Sequence, residues 1–422
     1  MPAPRSLNKQ LVSLAIPNII ANLAIPLLAF VDTALMGHAQ GLHLIGAVAI
    51  GSTIFSCIYW SFGFLRMGTT GLNSQAYGRK DLNESCTILA RSLICAWTIS
   101  LALLILQKPI LELTLHLIKA GPKVEASASL YYQIRIFAAP VTLSLYALNG
   151  WLLGMQNSKA PMYLSIISNI LNIILSYSLV KFAKLEIAGV AWGTVITQYL
   201  TFSLAIIYIL KKYQLPISKL KKSQLLQKDE LKKFFTVNSD IFIRTALLLA
   251  CISFFTAKSA EFGDHILASN TILLQLGSIM AYGVDGFAFA AESLTGRFIG
   301  EKNITKLKEI IRLCLLWGLG FGLSFTAIYA LGNHYIFALF TNKTAILNSL
   351  QPYLIWTLIA CLINPICFIW DGIFIGATRS QEMRNSMILS TFLVYFPLYF
   401  LSQDWGNHGL WLAMTGLNIA RG

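Results

Sequence analysis

Apolar residues fall along this chain in long blocks separated by short polar stretches. Twelve blocks are centred near residues 22, 55, 98, 141, 171, 198, 245, 282, 318, 361, 392 and 415. Each is long enough to approach the roughly 20 residues that a helix needs to cross a bilayer. The pattern predicts an all-α membrane protein with twelve transmembrane helices. The first block begins at Leu11, is too long for the apolar core of a leader peptide and has no small-residue cleavage pattern after it. It is expected to be the first span. The last block is short, running from Gly409 to Gly422 and closing on "NIARG", so that helix is expected either to end abruptly or to lack a tail.

Composition strengthens this reading. Of 422 residues 56% are hydrophobic and 12% charged, against about 25% charged in soluble domains. The seven cysteines, at 57, 86, 95, 251, 314, 361 and 367, are odd in number, scattered through apolar blocks and never spaced as CxxC. They read as packing residues, with no disulfide framework or zinc site.

The formal charge of +14 is localised. Between blocks six and seven, "KKYQLPISKLKKSQLLQKDELKK" (211–233) carries eight lysines against two acids. The connections "GRKDLNES", "GRFIGEKNITKLK" and "ATRSQEMRN" are basic too, whereas "GHAQGLHLIG" and "LSQDWGNHG" hold no lysine or arginine. The positive-inside rule then places both termini and the 211–233 loop in the cytoplasm. This distribution accounts for the charge without a nucleic-acid partner. All six histidines fall near the opposite helix ends, as interfacial side chains do.

Two stretches repeat. "NGWLLGMQNSKAPMYLSI" (149–166) resembles "DGIFIGATRSQEMRNSMI" (371–388), aligning Asn149, Gly150 and Gly154 with Asp371, Gly372 and Gly376. The same offset of 222 residues carries "QAYGRKDLNE" (75–84) onto "RFIGEKNITK" (297–306) and Tyr131 onto Tyr353. The chain is thus predicted to use a six-helix unit twice, in parallel topology, around a central cavity. The lobes would span 1–210 and 234–422, with 211–233 as the cytoplasmic linker. Such halves suit alternating access.

The segments "FVDTALMGH", "GFLRMGTTGLNSQAYGRKD", "GWLLGMQNSKAP" and "VDGFAFAAESLTGRFIG" resemble the multidrug and toxic compound extrusion (MATE) family, specifically its DinF-like branch. The likeness runs from about residue 11 to residue 420. It implies a two-lobe exporter exchanging drug-like, often cationic or amphipathic compounds for protons or sodium ions. It also implies that Asp32 is the coupling site of the amino-terminal lobe, surrounded by Asn149, Asn172 and Thr194. Related proteins often carry a second acid four residues after the span-five asparagine; here "NIILS" puts Ser176 there. One carboxylate in place of two weakens the case for sodium, because a hard cation gains affinity from paired carboxylates.

The intramembrane charges carry the rest. A charged aspartate near mid-membrane costs roughly 2.5–3.5 kcal/mol on insertion scales, so Asp32 needs a reason to be there. Proton loading is one; snorkelling to the outer interface, close to Gly37 and His38, is the other. Pro17 and Pro26 allow the helix to bend, as a gated site requires. Asp240 and Arg244 stand at i and i+4 and are expected to neutralise each other on one helix face, with a role in carboxy-lobe coupling as the alternative. Asp285 and Glu292 are seven apart in the eighth block, and Arg66 falls at a matched height in the second. These three are expected either to form an ionic lock between lobes or contact substrate, or to line a cavity as separate charges. Asp371 reads equally as a second proton or cation site and as a helix-end residue. Tyr59, Trp60, Phe62, Phe64, Phe287 and Phe289 offer faces to organic cations, although most membrane aromatics pack or face lipid.

Three functions compete. A proton-driven exporter fits the motifs. A flippase for a lipid-linked precursor predicts a strongly cationic interior, whereas Arg66, Arg135 and Arg244 here face Asp32, Asp240, Asp285, Glu292 and Asp371. A membrane enzyme predicts a DxD, HExxH or GxSxG motif, which the chain lacks. The reading is therefore a monomeric, multi-pass inner-membrane exporter of small drug-like molecules, with the proton as coupling ion, sodium as the alternative, and no metal or cofactor.

Overall fold

The computed structural model describes residues 6–37, 42–118, 120–216, 222–225 and 227–422, with the side chains of all of these except 25–37, 42, 117, 222 and 224. Every regular element among them is helical, as a chain in lipid requires: only internal hydrogen bonds satisfy its backbone there. The first six spans are α1 (Leu7–Gly37), α2 (Leu42–Ser61 continued by Phe64–Gly78), α3 (Leu82–Ile105), α4 (Pro122–Gly154), α5 (Lys159–Lys181) and α6 (Glu186–Tyr213). The second six are α7 (Lys228–Glu261), α8 (Asp264–Gly300), α9 (Ile304–Phe340), α10 (Thr344–Gly376), α11 (Ser380–Leu389 continued by Ser390–Tyr395 and Phe396–Leu401) and α12 (Asn407–Arg421). Each falls on one of the twelve apolar blocks. Among the described residues nine helices are long and apolar enough to cross a membrane on length and composition alone. Their outer faces are apolar. On α3, Ile94, Trp97, Leu101 and Ile105 recur at helical spacing and are all more than half exposed, an apolar stripe suited to facing lipid.

The helices pack as two units, Leu23–Leu231 and Met1–Asn22 with Lys232–Gly422. The linker-based division gives all of α1 to the first half, but packing divides this helix. Its early turns seat in the second unit: Trp317 Nε1 donates to Asn8 Oδ1 at 2.7 Å and Asn22 Nδ2 to the Tyr282 carbonyl at 3.2 Å. Leu11, Leu14 and Ala15 join a buried core with Phe287, Ala291, Leu294 and Phe298 of α8. In the first unit Asn169 Nδ2 of α5 donates to the carbonyl of Ala24, 2.7 Å away.

The internal repeat is visible in backbone geometry. In the first unit α2 and α4 meet where Gly150 faces the Arg66 carbonyl; in the second, α8 and α10 meet where Gly372 faces the Ala288 carbonyl. Both pairs are related by the 222-residue offset. A methyl group at either glycine would strike that carbonyl, and backbone cannot swing aside. Gly150→Ala and Gly372→Ala are each expected to lower stability by about 1–3 kcal/mol. Thermal unfolding of the purified variants checks this, and a variant melting with the wild type would contradict the close approach.

Helix ends repeat as well. Lys80 and Lys302, again 222 apart, take φ of 58° and 55°. At both, the residue after the left-handed one reaches back to an earlier carbonyl, Asp81 to Ala76 at 3.1 Å and Asn303 to Phe298 at 2.9 Å. This is the six-to-one closure that ends a helix on a left-handed residue. Asp81 and Asn303 then cap the following helices, accepting from the amides of Glu84 and Lys306. The left-handed position suits glycine better than lysine, so Lys302→Gly is expected to stabilise the protein by roughly 0.5–1 kcal/mol. A fall in melting temperature would refute this.

Candidate functional site

In the first unit α5 and α6 bring together three of the residues expected around the coupling site. Ser176 Oγ donates to Asn172 Oδ1 (3.5 Å), Asn172 Nδ2 to Thr194 Oγ1 (3.1 Å), and Thr194 Oγ1 to the Val190 carbonyl (3.1 Å). Exposures of 1%, 0% and 2% for Asn172, Ser176 and Thr194 make this a buried relay. Gly193 lets α6 lie against Ser176; a Cβ there would press into Ser176 Oγ at 2.5 Å. Asn149, on α4, is not bonded into the relay: its Oδ1 is buried without a hydrogen-bond partner. Asp32 lies within α1, and its side chain is outside the described residues. Its register can still be placed, because Asn169 holds α1 at Ala24. Odd-numbered spans of one topology run in parallel, so Asp32, eight residues beyond Ala24, stands at about the height of Ser176, seven beyond Asn169.

The second unit corrects one expectation. Asp240 and Arg244 do not neutralise each other. Asp240, 2% exposed, accepts from Arg384 Nη1 at 2.5 Å and from Ser380 Oγ at 2.7 Å, both on α11. Arg244 Nη2 instead donates to Asp371 Oδ2 on α10. The same oxygen accepts from Arg421 Nη2 of α12 at 3.1 Å. Spacing of i and i+4 permits a contact on one helix face, worth only a few tenths of a kcal/mol when exposed. Burial changes the choice, because a desolvated ion takes the partner of best geometry on any neighbouring helix. Arg384, Ser380 and Arg421 were not singled out in the sequence. Arg384 lies in a segment that reads as a basic connection, and Arg421 stands one residue before the last. The signal available was physical: an aspartate within a span needs a cation, and α12 supplies one in Arg421.

Glu292 is 1% exposed on α8 and Asp285 is half-buried on the same helix. Arg66, on α2, belongs to the other unit. The candidate aromatics divide. Tyr59 stacks on Phe55 (5.5 Å between centroids) and Phe287 on Trp317 (5.8 Å), which is packing, while Trp60 is 48% exposed. The guanidinium of Arg135 lies 5.0 Å from the Phe55 ring centroid, so a cation of the chain itself uses that face. Among the described residues no group of three or more His, Cys, Asp or Glu is arranged to hold a metal ion.

Twelve helices in two repeated six-helix sets, with buried polar clusters inside the spans, define an all-α polytopic membrane protein of transporter architecture. The chain belongs to the MATE family: the family model MatE matches residues 17–178 and 241–401. It is 36% identical over 418 residues to DNA damage-inducible protein F of Escherichia coli strain K12, covering 99% of this chain and 91% of that one. It is 27% identical to multidrug and toxin extrusion protein 1 of Danio rerio, covering 96% and 69%. Among solved structures, MATE in the bent conformation superposes with a TM-score of 0.88 at 19% identity, covering 99% of this chain and 93% of that one. The Vibrio cholerae MATE transporter VcmN in the bent form gives 0.86 at 21%, covering 98% and 94%. These matches establish the family and the twelve-helix, two-lobe fold that the sequence motifs implied.

Proposed function

We propose that the chain is a secondary active exporter that exchanges drug-like compounds, cationic or amphipathic, for protons by alternating access, with Asp32 as the proton-loading residue. Its family is one of multidrug and toxin extrusion transporters, and relatives named for multidrug export include one from Staphylococcus aureus. The observation that carries the choice of ion is Ser176. It is fully buried and hydrogen-bonded to Asn172, at a position that would otherwise offer a second carboxylate near the height of Asp32. Hydroxyl and amide groups can hydrogen-bond a single carboxylic acid, whereas a sodium ion loses the charge that paired carboxylates provide. Protons match this site better. Under the same reading the exporter works as a monomer in the inner membrane with both termini in the cytoplasm.

The test is uptake of a fluorescent cationic dye into everted vesicles in sodium-free buffer with the lumen made acidic. Full uptake without sodium is expected. An absolute sodium requirement would replace the proton by sodium and move the ion site away from the Asn172–Thr194 relay.

A further inference from the structure

The buried cluster on α7, α10 and α12 is short of negative charge. The side chains of Arg244 and Arg421 are 7% and 3% exposed, and both donate to a single oxygen of Asp371, which is itself 13% exposed. The other carboxylate nearby, Asp240, is taken by Arg384 and Ser380. The ionisable groups that act on Arg244 are Asp371, Arg421 and Cys367, and those on Arg421 are Cys367 and Asp371. Two guanidinium groups therefore share one carboxylate. A second observation points the same way: Nε of Arg244 is buried and has no hydrogen-bond partner. Buried charges are normally paired and buried donors normally bonded. Among the described residues, one positive charge of the arginine pair and the Nε–H of Arg244 lack a counterpart.

We propose that this cluster is a binding site for the carboxylate of a small organic anion, which bonds Arg244 beside Asp371 and supplies the missing charge. Guanidinium groups favour planar oxyanions because their donors match the carboxylate geometry. Entry is on the side of Asp371, the most exposed member of the cluster. The site extends the range of bound compounds to anionic and zwitterionic amphiphiles, and it does not depend on which ion drives transport.

The experiment uses the full-length chain purified in detergent, with melting temperature followed during titration by hexanoate and by its neutral isostere hexanamide at constant chloride. Ligands that bind only the folded state raise the melting temperature with their concentration. Hexanoate is expected to give a saturable rise and hexanamide none. Asp371→Asn removes the competing carboxylate and should bind hexanoate at least about tenfold more tightly, as added positive charge at short range dictates. Arg421→Gln should lose the rise. If that variant does not fold, Arg244→Lys, which keeps the charge but lacks Nε, should show a reduced one. The proposal is overturned by no saturable response in wild type and Asp371→Asn, or by an equal response to hexanamide. A response confined to Cys367→Ser overturns it too, since the thiol would then hold the missing charge. A rise given by phosphatidylglycerol in mixed micelles but not by hexanoate also overturns it, by making a lipid phosphate the ligand.

Discussion

Asp371→Ala is expected to destabilise the protein by about 3–5 kcal/mol, the cost of removing one partner from a buried ion pair. The residue sits where three helices meet: Arg244 arrives from α7 and Arg421 from α12, and both end on Asp371 Oδ2. Alanine leaves two nearly buried guanidinium groups with no carboxylate between them. Arg421 retains its bond to Cys367 Sγ at 2.9 Å, too weak an acceptor to offset an unpaired charge. The loss should appear as a lower melting temperature and reduced yield of folded protein. Removing the charges together, as Asp371→Leu with Arg244→Met and Arg421→Met, should recover much of it, because a buried ion group is often replaceable by apolar packing. Asp371→Ala within about 1 kcal/mol of wild type would mean that water already screens these arginines. Such a result would remove the charge argument from the second unit.

Asp32→Asn is expected to abolish transport with folding unchanged. Asparagine keeps the shape of the side chain and most of its hydrogen bonding, but it cannot take up and release a proton. The register supports this residue over the others in its unit: counted from Ala24, Asp32 falls at about the height of Ser176, and every described group of the Ser176 relay is a hydroxyl, an amide or a backbone carbonyl. With no second acid at Ser176, no other group in that relay can take over the titration. The rate should fall to that of empty vesicles, while melting temperature and detergent-solubilised yield match wild type. Asp32→Glu, which titrates but is one methylene longer, should retain a measurable fraction of activity. Equal loss in Glu and Asn variants would point to shape in place of titration.

How much was legible follows from which interactions are local. Hydrophobic block length gave all twelve spans, since the bilayer imposes a minimum on each. The repeat was visible because it fixes glycines that the backbone needs: Gly150 and Gly372 each sit under a carbonyl of the neighbouring helix, Arg66 and Ala288, and no other residue fits. The relay of Asn172, Ser176 and Thr194 was reached through family motifs, with spacing alone giving only the i, i+4 step from Asn172 to Ser176. Ion pairing was the least legible. Arg244 and Asp371 are 127 residues apart, and Arg384 and Asp240 are 144 apart. Periodicity reports which residues share a helix face and says nothing about which faces meet. The division of α1 was hidden for the same reason: apolar continuity marks one span, and only tertiary packing shows that Asn8 and Asn22 bond to α9 and α8.

The most direct test of proton-driven export through Asp32 is made in proteoliposomes containing wild type or Asp32→Asn, without sodium, with an outward-facing acid step and a cationic dye inside. The account predicts that the pH step drives dye release from wild-type vesicles, that collapsing the gradient with a protonophore stops it, and that Asp32→Asn vesicles release no more than protein-free ones. Release by Asp32→Asn at the wild-type rate under the same gradient would contradict it.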